Sequence, residues 1–208
     1  MEKPETIHDF GGFPQSLFNV QYPVKGNPKA AREIKSLVQT TEIGLDHEWG
    51  LDHGCWSVIK QMYPNADIPV LQLSIDYSKP GSFHFALAEQ LKSLRNKGVL
   101  IVGSGNIVHN LRMMAVPQGS SKGLNTEFAH DWAIELNEKV KAHIISGNYK
   151  ELIDYQSMGK AATLAIPTPD HYFPLLYSLA LKDSKDAVAF FNDKYVAGSI
   201  SMTSLQIG

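Results

Sequence analysis

Apolar residues recur at helical spacing from Pro28 to about Thr40, where Ile34, Leu37 and Val38 form one stripe. Cys55 to Met62 reads as a short helix stopped by Tyr63-Pro64, because the residue before a proline is pushed out of helical geometry. The run Ile68 to Ile75 predicts a strand. Ser78-Lys79-Pro80 then opens a helix, with Ser78 as candidate cap and Pro80 near the first turn. Leu87, Leu91 and Leu94 share its buried face, and Gly98 stands where a left-handed glycine closes a helix. Val99-Leu100-Ile101-Val102 follows at once and reads as a buried strand. Strand, helix and strand thus fit within about 35 residues, the length of a right-handed parallel crossover.

Further along, Glu127 to Ile145 predicts a long amphipathic helix carrying Trp132, Leu136 and Val140, and residues 172–181 predict an apolar helix. The tail alternates at Ala187 to Phe191 and again at Ser199 to Ile207, the pattern of a terminal antiparallel hairpin. Residues 1–27 are rich in Gly, Pro and aromatics and read as an ordered loop, since the rings need burial. Residues 44–54, GLDHEWGLDHG, read as a second loop. The sum predicts an α/β domain around a mixed sheet.

Composition narrows the classes. A chain of 208 residues with 43% hydrophobic content suits one globular domain. A formal net charge of -2, with 19% charged residues, points away from nucleic acid or any other polyanion. The mixed-sign cluster Lys182 to Lys185 reads as a solvated loop. The single cysteine, Cys55, excludes a disulfide framework and fits a reducing compartment. The start, MEKPETIHDFGGF, lacks the apolar core of a signal peptide, and no apolar run is long enough for a bilayer. The expectation is a soluble, cytoplasmic protein with no membrane partner.

Candidate chemistry begins at GSGNIVHNL, residues 103–111. A dinucleotide fingerprint starting at Gly103 would need glycine where Val108 stands, and no Gly-Lys-Ser/Thr follows for a phosphate loop. That leaves His109 just past a predicted strand end, where functional groups of open α/β sheets gather. Gly103 and Gly105 would let the backbone turn sharply there. A lone histidine in this place is more often one satisfied by a nearby carbonyl. Two more loop histidines weigh against that: His53 in GLDHG, and His171 in PTPDHY. Thr168 is a candidate cap and Pro169 a candidate first residue of the following helix. His171 would then lie in the first turn, where the dipole disfavours imidazolium and so favours the neutral form a metal needs. A solvent-facing turn histidine is the alternative. His47 and His130 sit in polar surroundings, His84 and His143 read as surface or boundary positions on helices, and His8 lies among aromatics that could line a pocket.

Six ordered segments carry a resemblance: TIHDFGGFP at 6–14, GLDHGCW at 50–56, MYPNADIPVLQLSID at 62–76, GSGNIVHNLR at 103–112, PTPDHYFPLLY at 167–177 and GSISMTSLQIG at 198–208. The chain resembles the class III extradiol ring-cleavage dioxygenases of the LigB-like superfamily, in the 4,5-DOPA dioxygenase branch. The resemblance implies one catalytic domain over 1–208, with a mostly parallel central sheet flanked by helices. It also implies opening of a catechol ring beside its two hydroxyls with O2, at one divalent metal, Fe2+ or Zn2+. Such a metal holds both reactants and converts a three-body encounter into a local one. By the same resemblance His171 is a metal ligand, and His109 faces the substrate as acid–base and is also a ligand in zinc-bound descriptions. His53 is a histidine that helps handle substrate protons, and Asn110 and Asp52 are supports that orient the rings. The small-molecule partners are a catechol and O2, with a homo-oligomer allowed.

The resemblance also implies two earlier strand–loop units, ending in His-Gly-Ser-Pro and Ser-Ala-His-Trp, each with a metal-binding histidine. Neither occurs in this chain, so the expected domain is one lacking its first two strand–loop units. A site drawing on His171 and His109 alone is then at most partial, because a facial triad needs three protein ligands. The sheet would expose an edge and apolar surface. The expected activity is ring opening that is weak or absent in this chain alone. A fragment with a start upstream, a truncated pseudogene product, and a non-catalytic metal- or catechol-binding subunit completed by a partner remain as accounts. A metal-dependent hydrolase on a similar scaffold gains nothing specific from these motifs.

Overall fold

The computed structural model describes residues 1–208 and divides into two compact units, Met1–Ser74 and Ile75–Gly208. In the first unit, helices α1 (Gln15–Phe18), α2 (Pro28–Leu37) and α3 (His53–Met62) are joined by long loops. The Asn27 side chain caps α2 through the amide of Ala30, and the Asp52 side chain caps α3 through the amide of Cys55. Thr6 and Leu51 form an isolated parallel bridge. The carbonyl of Glu5 lies so close to Gly50 that a Cβ there would run into it. Tyr22, Val24, Leu51, Trp56 and Ile59 make this unit's core. Burial of the aromatics in the N-terminal loop is partial: Phe10 packs against Phe13, Phe18 and Trp56, but Phe13 itself is exposed.

The second unit contains α4 (Gly81–Glu89), α5 (Asp131–Ser146), α6 (Tyr149–Ile153), α7 (Lys160–Ala165) and α8 (Phe173–Ala180). Leu136, Val140 and Ile144 of α5 share one buried core with Ala161, Ala162 and Ala165 of α7 and Leu176 and Leu179 of α8. The helix predicted from Ser78 is α4 followed by a 3-10 turn over Lys92–Lys97. Gly98 closes it at φ +72°, and Leu87, Leu91 and Leu94 are buried as expected. Pro80, not Ser78, occupies the cap position of α4, and the Ser78 hydroxyl instead donates to Asp76. The C-terminal hairpin forms in two ladders: β1 (Val188–Phe191) pairs antiparallel with β4 (Ser204–Ile207), and β2 (Tyr195–Val196) pairs with β3 (Ile200–Ser201).

Helix and strand are therefore both present, but the mostly parallel central sheet is not. The only ladders are the two small antiparallel ones, and parallel contact is limited to the Thr6–Leu51 and Ala129–Gly198 bridges. Residues 68–75 and 99–102, expected as the strands of a crossover, enter no ladder, and the boundary between units falls inside the first of them. The expected burial of the second run fails as well: Leu100 is 61% exposed. β-Branched, apolar composition encodes a tendency to extend, but a strand exists only where a neighbour answers its N–H and C=O groups. Ile68, Val99 and Val102 of these runs are exposed as well. No helix is long and apolar enough to cross a membrane.

His84 is the other departure. It is fully buried on α4, not at a surface or boundary, with its ring 4.4 Å from that of Phe173. One ring nitrogen, Nε2, lies 3.0 Å from the Asp76 carbonyl and must donate to it, so Nδ1 accepts from the Tyr177 hydroxyl at 3.0 Å. Burial pushes the His84 pKa down, partly opposed by Asp76. A neutral native histidine stabilises the fold above the unfolded value of about 6.5, and that contribution is lost as pH falls through the lower folded value. Urea unfolding at pH 7 and pH 5 should show a midpoint that drops with acid, and His84→Gln should flatten the drop. An equal pH dependence in the variant would exclude His84 as its source.

Candidate functional site

The loop 103–110 is placed by close backbone approach. A Cβ on Gly103 would stand 2.5 Å from the Pro174 carbonyl oxygen, and one on Gly105 would run into the carbonyl oxygen of His171. Neither glycine has a positive φ, so they serve contact with the start of α8, not the sharp turn expected from the sequence. The amide of Asn106 then donates to the His171 carbonyl at 2.9 Å, and its side chain donates to the Ser201 carbonyl at 2.8 Å. Ile107 and Val108 are sunk in the core. Val108 exchanges bonds with Ser201: its amide donates to the hydroxyl and its carbonyl accepts from the Ser201 amide. The amide of His109 donates to the Ala165 carbonyl at the end of α7. Asn110 is tied to Ser199 on both sides, its amide donating to the Ser199 carbonyl and its carbonyl accepting from the Ser199 hydroxyl.

His171 lies in the turn before α8 rather than in its first turn. The carbonyl of Pro169 accepts from the amides of both Tyr172 and Phe173, so the helix is entered one step later than the Thr168–Pro169 pattern predicts. Tyr172 anchors the turn, with its ring buried and its hydroxyl donating to the Leu152 carbonyl at 3.0 Å. The result is face-to-face stacking of the His109 and His171 rings, with centroids 3.6 Å apart and planes inclined by 17°. Burial, followed by the adjacent His171 ring, pushes the His109 pKa down to about 4, with Asp170 opposing. The Asp170 carboxylate stands 3.6 Å from Nε2 of His171, too far for a hydrogen bond.

An imidazole lone pair lies in the ring plane, and a bound metal sits about 2.0–2.1 Å from the nitrogen in that plane. With two nearly parallel rings 3.6 Å apart, an ion in the plane of one is well off the plane of the other. One ring of the stack can therefore serve as a donor in this geometry, while joint ligation requires the other to swing off it. No group of three His, Cys, Asp or Glu side chains in the chain is arranged to hold a metal. The residues present thus fit as part of a metal site and do not complete one.

His53, in the first unit, is the first residue of α3. Its ring Nδ1 and its backbone amide both lie 2.9 Å from Oδ1 of Asp9, and Phe10 packs on the ring edge-to-face at 5.5 Å. Two expected supports are engaged elsewhere. Asp52 caps α3 and bonds the Gln72 side chain, while Asn110 donates to the Leu164 carbonyl and accepts from the Arg112 amide, so neither orients an imidazole. Asp9 was not legible as a partner, since the contact joins residues 44 apart; the one signal was a carboxylate beside His8 in an aromatic-rich loop that had to fold inward. His8 itself places Nε2 2.9 Å from the Val20 carbonyl.

Comparison with known proteins places these features in context. A family model described as the catalytic LigB subunit of aromatic ring-opening dioxygenase matches residues 1–204. The chain is similar to the 4,5-DOPA dioxygenase extradiol of Escherichia coli (strain K12), 44% identical over 212 residues that cover 100% of this chain and 75% of the relative. It is also similar to the 4,5-DOPA dioxygenase extradiol of Beta vulgaris, 31% identical over 96% of this chain and 73% of the relative. A crystal structure of an uncharacterized protein from Escherichia coli K12 superposes with a TM-score of 0.81 at 37% identity, covering 99% of this chain and 81% of that one.

Gly105→Ala tests whether backbone approach builds the stack. The added methyl must displace the His171 carbonyl, with an expected loss of about 1–3 kcal/mol and loss of the mutual ring-current shifts of His109 and His171 in NMR spectra. Unchanged stability and shifts would contradict this account.

Proposed function

The chain belongs to the LigB family of aromatic ring-opening dioxygenases, and we propose that it takes a catechol such as DOPA and O2 as substrates in extradiol ring cleavage. Membership makes it an enzyme of the dioxygenase class. The observation that carries the finer assignment is the meeting of His109 and His171, which come from two segments of the resemblance and stack at 3.6 Å. His171 is assigned as donor to one divalent metal, Fe2+ or Zn2+. When bound, the metal would supply Lewis-acid binding of the catechol oxygens and of O2. His109, held neutral by burial, is assigned to proton transfer at the substrate, where a neutral imidazole accepts a proton and returns it. His53 is assigned to taking up a proton from a catechol hydroxyl. Residues 1–208 are assigned to one catalytic domain working in the cytoplasm, a compartment that a single, half-buried cysteine fits.

The absence of a three-donor group in the chain favours a second reading: a catechol- and metal-binding module whose remaining donors come from another polypeptide. An anaerobic Fe(II) load followed by DOPA and O2, with O2 uptake and catechol loss followed together, separates the two. Binding with little or no ring opening is expected of this chain alone. Robust ring opening would favour the complete enzyme over the module, and absence of both binding and turnover would overturn both readings.

Calorimetry with Zn2+ should show weak binding that His171→Ala abolishes; unchanged binding would remove His171 from the site. In an assembly restored to turnover, His109→Phe should lower turnover by about 100-fold or more while changing catechol affinity little. Near-normal turnover would contradict the acid–base role.

A further inference from the structure

Asp9 is committed to His53 twice over through one oxygen. Oδ1 lies 2.9 Å from the backbone amide and 2.9 Å from Nδ1 of the ring, so the carboxylate fixes both the start of α3 and the rotation of the imidazole. Burial alone would raise the Asp9 pKa, but the bonds from the His53 amide and ring outweigh it and hold the carboxyl below its usual range. An ionised carboxylate can only accept hydrogen bonds, so the ring nitrogen facing it must be the donor. The neutral imidazole then carries its proton on Nδ1 and its lone pair on Nε2. Nε2 makes no hydrogen bond within the chain, and the side chain is 48% exposed. Phe10 closes on the ring edge-to-face, which limits the directions in which the imidazole can turn.

We propose that Asp9 is a positioning residue that holds His53 as the Nδ1–H tautomer and leaves Nε2 as the one proton acceptor this ring offers a catechol hydroxyl. The proposal rests on the assignment of His53 to proton uptake made above. The step is a simple transfer. The catechol O–H bond breaks, its electron pair stays on oxygen, and the proton forms Nε2–H. The resulting imidazolium is stabilised by the Asp9 carboxylate across Nδ1–H, and the proton is later returned from Nε2. No oxidant or reductant takes part in it. Asp52, the neighbour in sequence, cannot substitute, because its oxygens are held by the Cys55 amide and the Gln72 side chain.

Long-range nitrogen–proton NMR of the full chain reads the tautomer directly. The wild type should show His53 as Nδ1–H. Asp9→Ala removes the oxygen that accepts from Nδ1, and the ring should lose its Nδ1–H tautomer in favour of Nε2–H. Wild-type His53 found as Nε2–H overturns the proposal even if the variant does not fold, as does an Asp9→Ala chain that keeps Nδ1–H. A loss of thermal stability with an unchanged tautomer assigns Asp9 to capping α3 alone and also overturns it. The absorption of bound 4-nitrocatechol reports its ionisation: Asp9→Ala should lose the anionic fraction to the level of His53→Gln, and Asp9→Glu should recover part of it. If the tautomer switches while His53→Gln leaves that ionisation unchanged, His53 leaves the proposed reaction and the control of its tautomer by Asp9 stands.

Discussion

The carbonyl oxygens of His171 and Pro174 lie against the backbone of Gly105 and Gly103 with no room for a side chain between them. That approach sets the register of the 103–110 loop on the start of α8, and the Asn106 amide locks it to His171. Once the register is set, the other placements follow. Ile107 and Val108 enter the core, Ser201 and Ser199 take up the flanking amides and carbonyls, and His109 emerges with its ring against that of His171. The stacked imidazoles are thus a product of steric permission at two glycines.

The histidines are differentiated by what surrounds them. His84 and His109 are driven toward the neutral form by burial, the first with both nitrogens engaged by Asp76 and Tyr177 and the second with a neighbouring imidazole. His53 has a carboxylate on one nitrogen and solvent access at the ring. One residue type therefore supplies a core filler, a neutral ring beside a candidate metal donor and a ring of fixed tautomer. Environment, more than residue identity, decides these roles.

Local patterns were legible wherever the deciding interaction was local. The buried faces Leu87/Leu91/Leu94 and Leu136/Val140, the left-handed stop at Gly98 and the C-terminal hairpin all depend on near neighbours, and all are present. The apolar runs at 68–75 and 99–102 predict strands that do not form, because a ladder needs a partner and periodicity does not reveal whether one exists. Of the candidate site, the loops of His109 and His171 were legible through their glycines and prolines. Asp9 was not, and Asp52 and Asn110 were credited with support they give instead to a helix start and to the Leu164 carbonyl. Proximity in sequence is a poor guide to which group a short polar side chain will find.

Leu100, Ile101 and Val102 come immediately ahead of the 103–110 loop, yet their amides meet no backbone acceptor in the chain. Within eight residues the backbone passes from amides without a backbone acceptor to Val108, whose amide and carbonyl are both bonded inside the core. Deuterium would therefore enter at 100–102 without any opening of the fold, while at Val108 it would wait on an opening that breaks the contacts to Ser201. The approach to the imidazole pair would thus trade its protons locally, and the pair's own footing only when that part of the unit comes apart.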